Sequence, residues 1–465
     1  MSTAPYAAQD RNKMSANDRK VAFATIIGTT VEWYDFFIYA AAAGLVFKTL
    51  FFSPAGSTLG TMLAFATVGL SFLFRPLGAF LAGYFGDIYG RRAVLVATLV
   101  VMGLSTALIG LLPTYETIGI WAPILLLLLR ILQGLSAGGE WGGAVLMAVE
   151  HAPVHKRGRF GSFPQIGVPL GLLLASGMFA LMSGVIAPGD AFMEWGWRIP
   201  FLFSIVLLFL GHWLRKSVEE SPVFEEIKER KSASKTPIRD LFKNHAALVI
   251  VAALVFAGNS AIGYMTTGGF IQNYTTNPEG PLALPRTPIL ISVTVSAAIW
   301  LLFTWFSGGL SDKIGRRQTY IYGFIVQLFG VLALFPLVNI GEIWSVSLGL
   351  CFLAVGIGMT YGAQSAFYSE LFPASIRFSG VSISYALGAI LGGAFSPLIA
   401  SWLVSSTGST DSVAYYLAGM TIVGLVAAIL LKDRSGIPLG PDHEALQNES
   451  AFTFSKEKSK HVYSE

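Results

Sequence analysis

Five ionisable residues stand inside long apolar stretches of this 465-residue chain: Glu32, Asp35, Arg75, Arg130 and Glu140. A charge at the centre of a bilayer costs ~2.5–3.5 kcal/mol on insertion scales, so each needs a partner or a water-lined cavity. Three acids against two bases leave one excess negative charge, which a bound proton or cation would neutralise. Burial and a nearby guanidinium act on a carboxylate's proton affinity in opposite directions, so a pocket that opens and closes can move a proton on and off. At 1.5 Å per residue, Asp35 falls near mid-membrane and Glu32 one turn from it on the same face. Arg75 lies roughly 18 Å above the end of its span, near the depth of Glu32, and Arg130 lies near the level of Asp35. The expected pairs are therefore Glu32 with Arg75 and Asp35 with Arg130, with Glu140 deeper on the inner side. Asp35 is the leading proton carrier and Arg130 the group that competes with it for a solute carboxylate. Static ion pairs bracing three helices are the alternative role for the set.

The elements that must position these charges are membrane helices. Hydrophobic residues make up 54% of the chain, charged residues 12%, and the mean hydropathy is +0.62. A soluble protein carries about twice that charged fraction. Apolar runs lie near 21–44, 58–85, 93–112, 121–149, 160–187 and 198–214, and again near 246–272, 287–311, 318–338, 343–366, 379–404 and 413–431. Most reach the ~20 residues a spanning helix requires, and none alternates as a barrel strand does. The expected organisation is a short tail (1–20), a six-helix bundle (21–214), a charged linker (215–245), a second six-helix bundle (246–431) and a polar tail (432–465) without a coiled-coil repeat. All Lys and Arg except Lys48, Arg75, Arg130, Arg198 and Arg286 fall in the tails, the linker and the even-numbered connections. Positive charge on one side places both termini in the cytoplasm. The basic balance then reflects topology, and no nucleic-acid partner is implied. The first run is too long and too polar at its centre to be a cleaved signal, and the single Cys351 excludes disulfides and cysteine metal sites.

Two patterns recur. Gly83-Tyr84-Phe85-Gly86-Asp87-Ile88-Tyr89-Gly90-Arg91-Arg92 is matched by Gly308-Gly309-Leu310-Ser311-Asp312-Lys313-Ile314-Gly315-Arg316-Arg317, and Glu150, Pro153 and Arg157 by Glu370, Pro373 and Arg377. Duplicated membrane bundles most often carry solutes. With its two six-helix halves and repeated Gly-x-x-x-Asp-x-x-Gly-Arg-Arg turn, the chain resembles the major facilitator superfamily. More narrowly it is similar to the metabolite:proton symporters, through Glu32-Trp33-Tyr34-Asp35-Phe36, Phe74-Arg75-Pro76-Leu77-Gly78, Arg130-x-x-Gln133-Gly134, Gly138-Gly139-Glu140-Trp141-Gly142-Gly143 and Trp195-Gly196-Trp197-Arg198-Ile199-Pro200. That resemblance implies an all-α fold of twelve transmembrane helices and proton-coupled import of a small organic acid or zwitterion, such as shikimate, a di- or tricarboxylate, proline or a betaine, by alternating access. It further implies a monomer in a bacterial inner membrane, driven by the transmembrane proton gradient without cofactor or metal.

In that family the repeated turn closes the cytoplasmic side, so Asp87, Arg91 and Arg92 and their counterparts Asp312, Arg316 and Arg317 are expected gate residues. Glu150 with Arg157, and Glu370 with Arg377, are expected to brace the same face. A solute pocket between the halves draws on Tyr34, Arg130, Gln133, Trp141 and Gln165 from the first, and on Asn259, Tyr264, Gln272, Tyr361, Gln364 and Tyr385 from the second. A sodium-coupled carrier, an uncoupled carrier or exporter, and a sensor that kept the fold stay open as alternatives. An enzyme does not: the polar segments hold no metal-ligand cluster, nucleophile with base, or phosphate-binding loop.

Overall fold

The computed structural model describes residues 16–89, 91–138, 140–215, 237–267 and 269–454; of these, 16–19, 21, 79–80, 82–89, 91–96, 212–215, 237–238, 240 and 264–267 are described as backbone only. It is an all-helical bundle in which the only β pairing among the described residues is a bridge between Leu431 and Phe452. The first half comprises α1 (Ala16–Ala42, continued by a π turn Ala43–Phe47), α2 (Ser57–Tyr89), α3 (Arg91–Leu111), α4 (Trp121–Ala137, resuming at Glu140–Glu150), α5 (Arg157–Leu181) and α6 (Arg198–Arg215). The second comprises α7 (Pro237–Thr267), α8 (Arg286–Ile314), α9 (Arg316–Val338), α10 (Ile343–Leu371), α11 (Arg377–Gly388, running through a π turn Ala389–Ala394 into Ser396–Thr407) and α12 (Asp411–Leu430).

Among the described residues, ten segments are long and apolar enough to cross a membrane. The remaining two are α1, where Glu32 and Asp35 dilute the apolar character, and α3, whose apolar part Ala97–Leu111 adjoins residues described as backbone only. Large apolar side chains such as Leu128, Phe209, Val295, Phe329 and Val426 stay exposed on the outer surface, where lipid is their natural solvent. The charged connection 216–236 lies outside the described residues. Helix α7 already starts at Pro237, and His245 (φ −131°, ψ 19°) breaks it where the apolar run begins.

Packing repeats as the sequence does. Helix α1 packs on α5 and α6, α2 on α4, and α3 on α4 and α6; six helices later α7 packs on α11 and α12, α8 on α10, and α9 on α10 and α12. Paired glycines permit the tightest of these approaches. A Cβ on Gly171 would lie 2.8 Å from the backbone nitrogen of Tyr34, and one on Gly392 would lie 2.0 Å from the Ala257 carbonyl. The GxxxG spacing thus serves contacts inside the chain. Between the halves, α5 packs on α8 and α10, and α2 packs on α11. These contacts leave a buried seam along the bundle axis.

Candidate functional site

The buried charges of the first half form one network. Asp35 Oδ2 accepts a hydrogen bond from Thr106 Oγ1 (3.0 Å), and Oδ1 accepts one from Ser204 Oγ (2.7 Å). Gln133 Nε2 donates to the same Thr106 hydroxyl (2.7 Å), while Gln133 Oε1 accepts from Arg130 Nη1 (2.9 Å). Asp35 and Arg130 are therefore joined by a relay and not by the direct pair expected from their depth. The reason is that Arg130 is held towards α2: Nε and Nη2 donate to the Thr67 and Val68 carbonyls (3.3 and 3.1 Å), and the guanidinium lies 4.0 Å from the centre of the Tyr39 ring. The Glu32–Arg75 pair does form, at 3.9 Å, with Arg75 stacked 4.5 Å over Phe72. Glu32, Asp35, Arg75, Arg130 and Gln133 line a cavity of about 20 Å³, enough for one water. Glu140 is not among the lining residues; it occupies the first turn of the resumed α4, where a carboxylate complements the helix N-terminus.

The pocket candidates divide. Trp141 stacks on Tyr385 across the halves (3.6 Å between ring centres), and Tyr385 stacks in turn on Phe256 (4.2 Å). Gln165 Nε2 donates across the halves to Ser365 Oγ (3.1 Å). Tyr361 meets Trp300 edge-on at 4.9 Å, and Gln364 lies one helical turn along the same α10 face. Both amide atoms of Gln364, Gln165 Oε1 and Trp141 Nε1 are buried without a hydrogen-bond partner among the described residues. Such orphans call for a water or a ligand. Asn259 is bound inside the second half by Thr360 (2.7 Å), and Gln272 is buried beyond α7 on the short helix Phe270–Thr276. Tyr34 is set apart as well, because its hydroxyl donates to the Pro200 carbonyl (2.8 Å) and ties α1 to α6. The side chain of Tyr264 lies outside the described residues.

The end of the bundle that carries the repeated turns, here the motif face, is closed by charge. The Asp312 carboxylate accepts from the backbone N–H groups of Gly158 and Arg159 (2.8 Å each), capping the first turn of α5, and from Arg316 Nη1 (2.8 Å). Arg316 also reaches Glu370 through two 3.2 Å bonds. The repeated Glu and Arg are paired differently from expectation. Arg157 faces Glu370 (3.6 Å) and Arg377 faces Glu150 (3.4 Å), so both pairs cross between the halves. Arg317 donates its backbone N–H to Asp433 (3.0 Å) within the second half. The side chains of Asp87, Arg91 and Arg92 lie outside the described residues.

The opposite face is closed by backbone proximity, neutral groups and one lysine. A Cβ on Gly44 would lie 2.5 Å from the Gly269 carbonyl oxygen, and Asn273 Nδ2 donates to the Gly44 carbonyl (2.9 Å). Lys48 donates to Asn277 (3.0 Å), and Ser183 shares a hydrogen bond with Thr287 (3.0 Å). Both ends of the seam are thus sealed around its buried polar centre. Thr106, Ser204, Phe256 and Trp300 carry no sequence signal that separates them from ordinary span residues, since hydroxyls in membrane helices are usually occupied by the carbonyl a turn back.

Two six-helix halves with a buried charge network in one of them and a polar seam between them have the architecture of a membrane solute carrier. The chain belongs to the Major Facilitator Superfamily, whose profile matches residues 25–389. It is 40% identical over 415 residues to the inner membrane metabolite transport protein YhjE of Escherichia coli (strain K12), covering 88% of this chain and 93% of that protein. It is also 40% identical over 424 residues to the shikimate transporter of the same organism, covering 89% and 94%. The proton:xylose symporter XylE bound to 6-bromo-6-deoxy-D-glucose superposes with a TM-score of 0.72 at 20% identity, over 93% of this chain and 99% of that one. The protein is a multi-pass membrane transporter and not an enzyme.

Proposed function

We propose that the protein imports a small carboxylate-bearing metabolite, shikimate or a related organic acid or zwitterion, in symport with a proton. The observation that carries this reading is the enclosure of Asp35 by hydroxyls that suit either protonation state. When Asp35 is ionised, Thr106 and Ser204 both donate to it. When it is protonated, Thr106 can turn its own proton to the Met102 carbonyl, 2.9 Å away, and accept from the carboxyl group. A proton is therefore gained or lost with no helix displaced. The linked amide of Gln133 orients Arg130, whose charge offsets Asp35 before a proton arrives. Solute binds between Trp141, Gln165, Tyr361, Gln364 and Tyr385, where the unpartnered amides supply donors and acceptors. The shikimate transporter's name supports a hydroxylated carboxylate as the solute.

The motif face is the cytoplasmic one, both termini lie on that side of a bacterial inner membrane, and a monomer suffices. Glu32 and Arg75 hold the cavity wall, and Glu140 anchors the resumed α4. The test is charge movement in proteoliposomes without sodium, jumped with shikimate, 2-oxoglutarate, citrate, proline and glycine betaine at pH 5.5 and 7.5. A solute-specific current that is larger at the lower pH and absent in Asp35→Asn is expected. A current that requires sodium, or one unchanged in Asp35→Asn, overturns the coupling.

A further inference from the structure

The polar segment that follows α12 is not a loose tail: it is folded back onto the motif face and touches the arginines that close it. The backbone of Lys432 donates to the Ala451 carbonyl (2.7 Å) and that of Thr453 to the Leu430 carbonyl (2.9 Å), so the segment leaves α12 and returns to it. Leu439, Gln447 and Arg434 are buried within this loop. Arg434 donates to the Leu371 carbonyl (3.0 Å) at the end of α10, Asp433 receives the Arg317 backbone, and Glu444 receives Ser375. All of these contacts lie on the second half.

Gln447 holds the loop in shape. Its Nε2 donates to the Pro438 and Gly440 carbonyls (2.7 and 2.9 Å), while its Oε1 accepts from the Ala374 backbone (2.7 Å) and Arg377 Nη2 (3.1 Å). The stretch so fixed aims two main-chain carbonyls outward. That of Leu439 receives Arg377 Nη1 at 2.9 Å, and that of Ile437 receives Arg157 Nη1 at 2.6 Å. Arg157 belongs to the first half. Arg377 is the residue that meets Glu150 of the first half.

We infer that residues 432–453 form a strap that locks the motif face shut, pegged by Gln447. Contacts within the second half travel with it when the halves part, so they cancel between the open and closed states. The Ile437–Arg157 bond is made only in the closed state, and the Leu439 and Gln447 bonds keep Arg377 pointed at Glu150. The strap therefore biases the closed state without touching the solute site, and it does so whatever the solute or coupling ion is.

The experiment is a distance measurement by pulsed electron resonance. Spin labels are placed at the exposed positions His155 and Gln318, one on each half at the motif face, in full-length Cys351→Ala protein in lipid without solute. Losing the bond between the Ile437 carbonyl and the Arg157 guanidinium, which joins the halves, should lower the ratio of closed to open by at least about fivefold. Gln447→Leu is expected to give that shift, and a chain ending at Leu431 a shift at least as large. An unchanged distribution in both variants overturns the strap. A shift in the shortened chain with none in Gln447→Leu overturns the assignment of Gln447 as its peg. Neither reading depends on transport, so failure of proton coupling leaves the result interpretable.

Discussion

Replacing Asp312 by Asn should unlock the motif face. Its carboxylate receives two backbone N–H groups of α5 at 2.8 Å each, and these bonds join the two halves. The third bond, from Arg316, lies within the second half and cancels between states. Asn keeps one acceptor oxygen but turns an NH2 group towards the second N–H, and it removes the charge that complements the helix end. One charge-assisted hydrogen bond is worth about 1.5–3 kcal/mol, and a charge at a helix terminus about 0.3–1 kcal/mol. A loss of about 2–3 kcal/mol is therefore expected, or roughly 30- to 150-fold in the closed-to-open ratio at 1.4 kcal/mol per tenfold. The His155–Gln318 spin pair reads this ratio directly, and the variant should move most of its population to longer distances. Gly158→Ala gives an independent route to the same result, because its Cβ would lie 2.2 Å from Ser311 Oγ and 2.5 Å from the Gly308 carbonyl. If both variants keep the closed fraction within threefold of the parent, the capping bonds do not hold this face shut.

Three further outcomes follow from the same geometry. Gly44→Val should prevent closure of the opposite face, because even its Cβ would meet the Gly269 carbonyl at 2.5 Å; solute exchange should fall at least tenfold while the motif face stays closed by the spin-pair distance. Glu150→Gln or Arg377→Gln alone should weaken the closed state by about 3–5 kcal/mol, the cost of leaving the partner charge buried without compensation, and a double-mutant cycle should return a favourable coupling between the two; strictly additive effects would mean the pair at 3.4 Å contributes nothing specific. Thr106→Val removes a donor to ionised Asp35, so the pH midpoint of uptake should move towards alkaline pH, while Thr106→Ser should restore the parental profile; a profile unmoved in both would detach Thr106 from the proton site.

The fold was legible because bilayer physics is coarse. Helices must be long and apolar, and positive charge must stay on one side, so composition alone marked the spans. The position of Glu32 opposite Arg75 was equally open to depth counting, since a helix advances by a fixed rise. Counting failed for Asp35 and Arg130 because depth says nothing about azimuth: Arg130 turns towards the α2 carbonyls, and hydroxyls of Thr106 and Ser204 take its expected place. The repeated Glu and Arg failed for a different reason. In an assembly with approximate two-fold symmetry, residue i of one copy can meet j of the other, and j then meets i in return. A repeat in the sequence fixes that two equivalent pairs exist, but it is silent on whether each lies within a half or across the seam. The folded tail left no trace either, because the carbonyls it presents are main-chain groups, and Gln447, Arg434, Asp433 and Glu444 stand in no spacing that sets them apart from the residues of any polar tail.

What departs from the two-fold symmetry is more informative than what obeys it. The seam contacts are matched, α5 on α8 against α11 on α2, and so are the crossing ion pairs. Among the described residues the acids and bases buried mid-span occur in α1, α2 and α4, whereas the buried mid-span polar side chains of the second half are amides, hydroxyls and tyrosines, Asn259, Thr304, Gln327, Tyr361 and Gln364 among them. The strap belongs to the second half. The first half thus carries groups that can hold a proton, the second carries groups that suit a neutral or hydrogen-bonding solute surface, and the closing contacts differ between the faces. Charged hydrogen bonds, worth about 1.5–3 kcal/mol each, predominate on the motif face, while the other face has one of them, from Lys48, beside neutral ones worth about 0.5–1.5 kcal/mol. Even after the desolvation of the ion pairs is set against them, the Asp312 cap and the strap remain as a surplus on the motif face. The empty carrier should accordingly rest with its opposite face the easier to open, which is the direction from which an importer receives its solute.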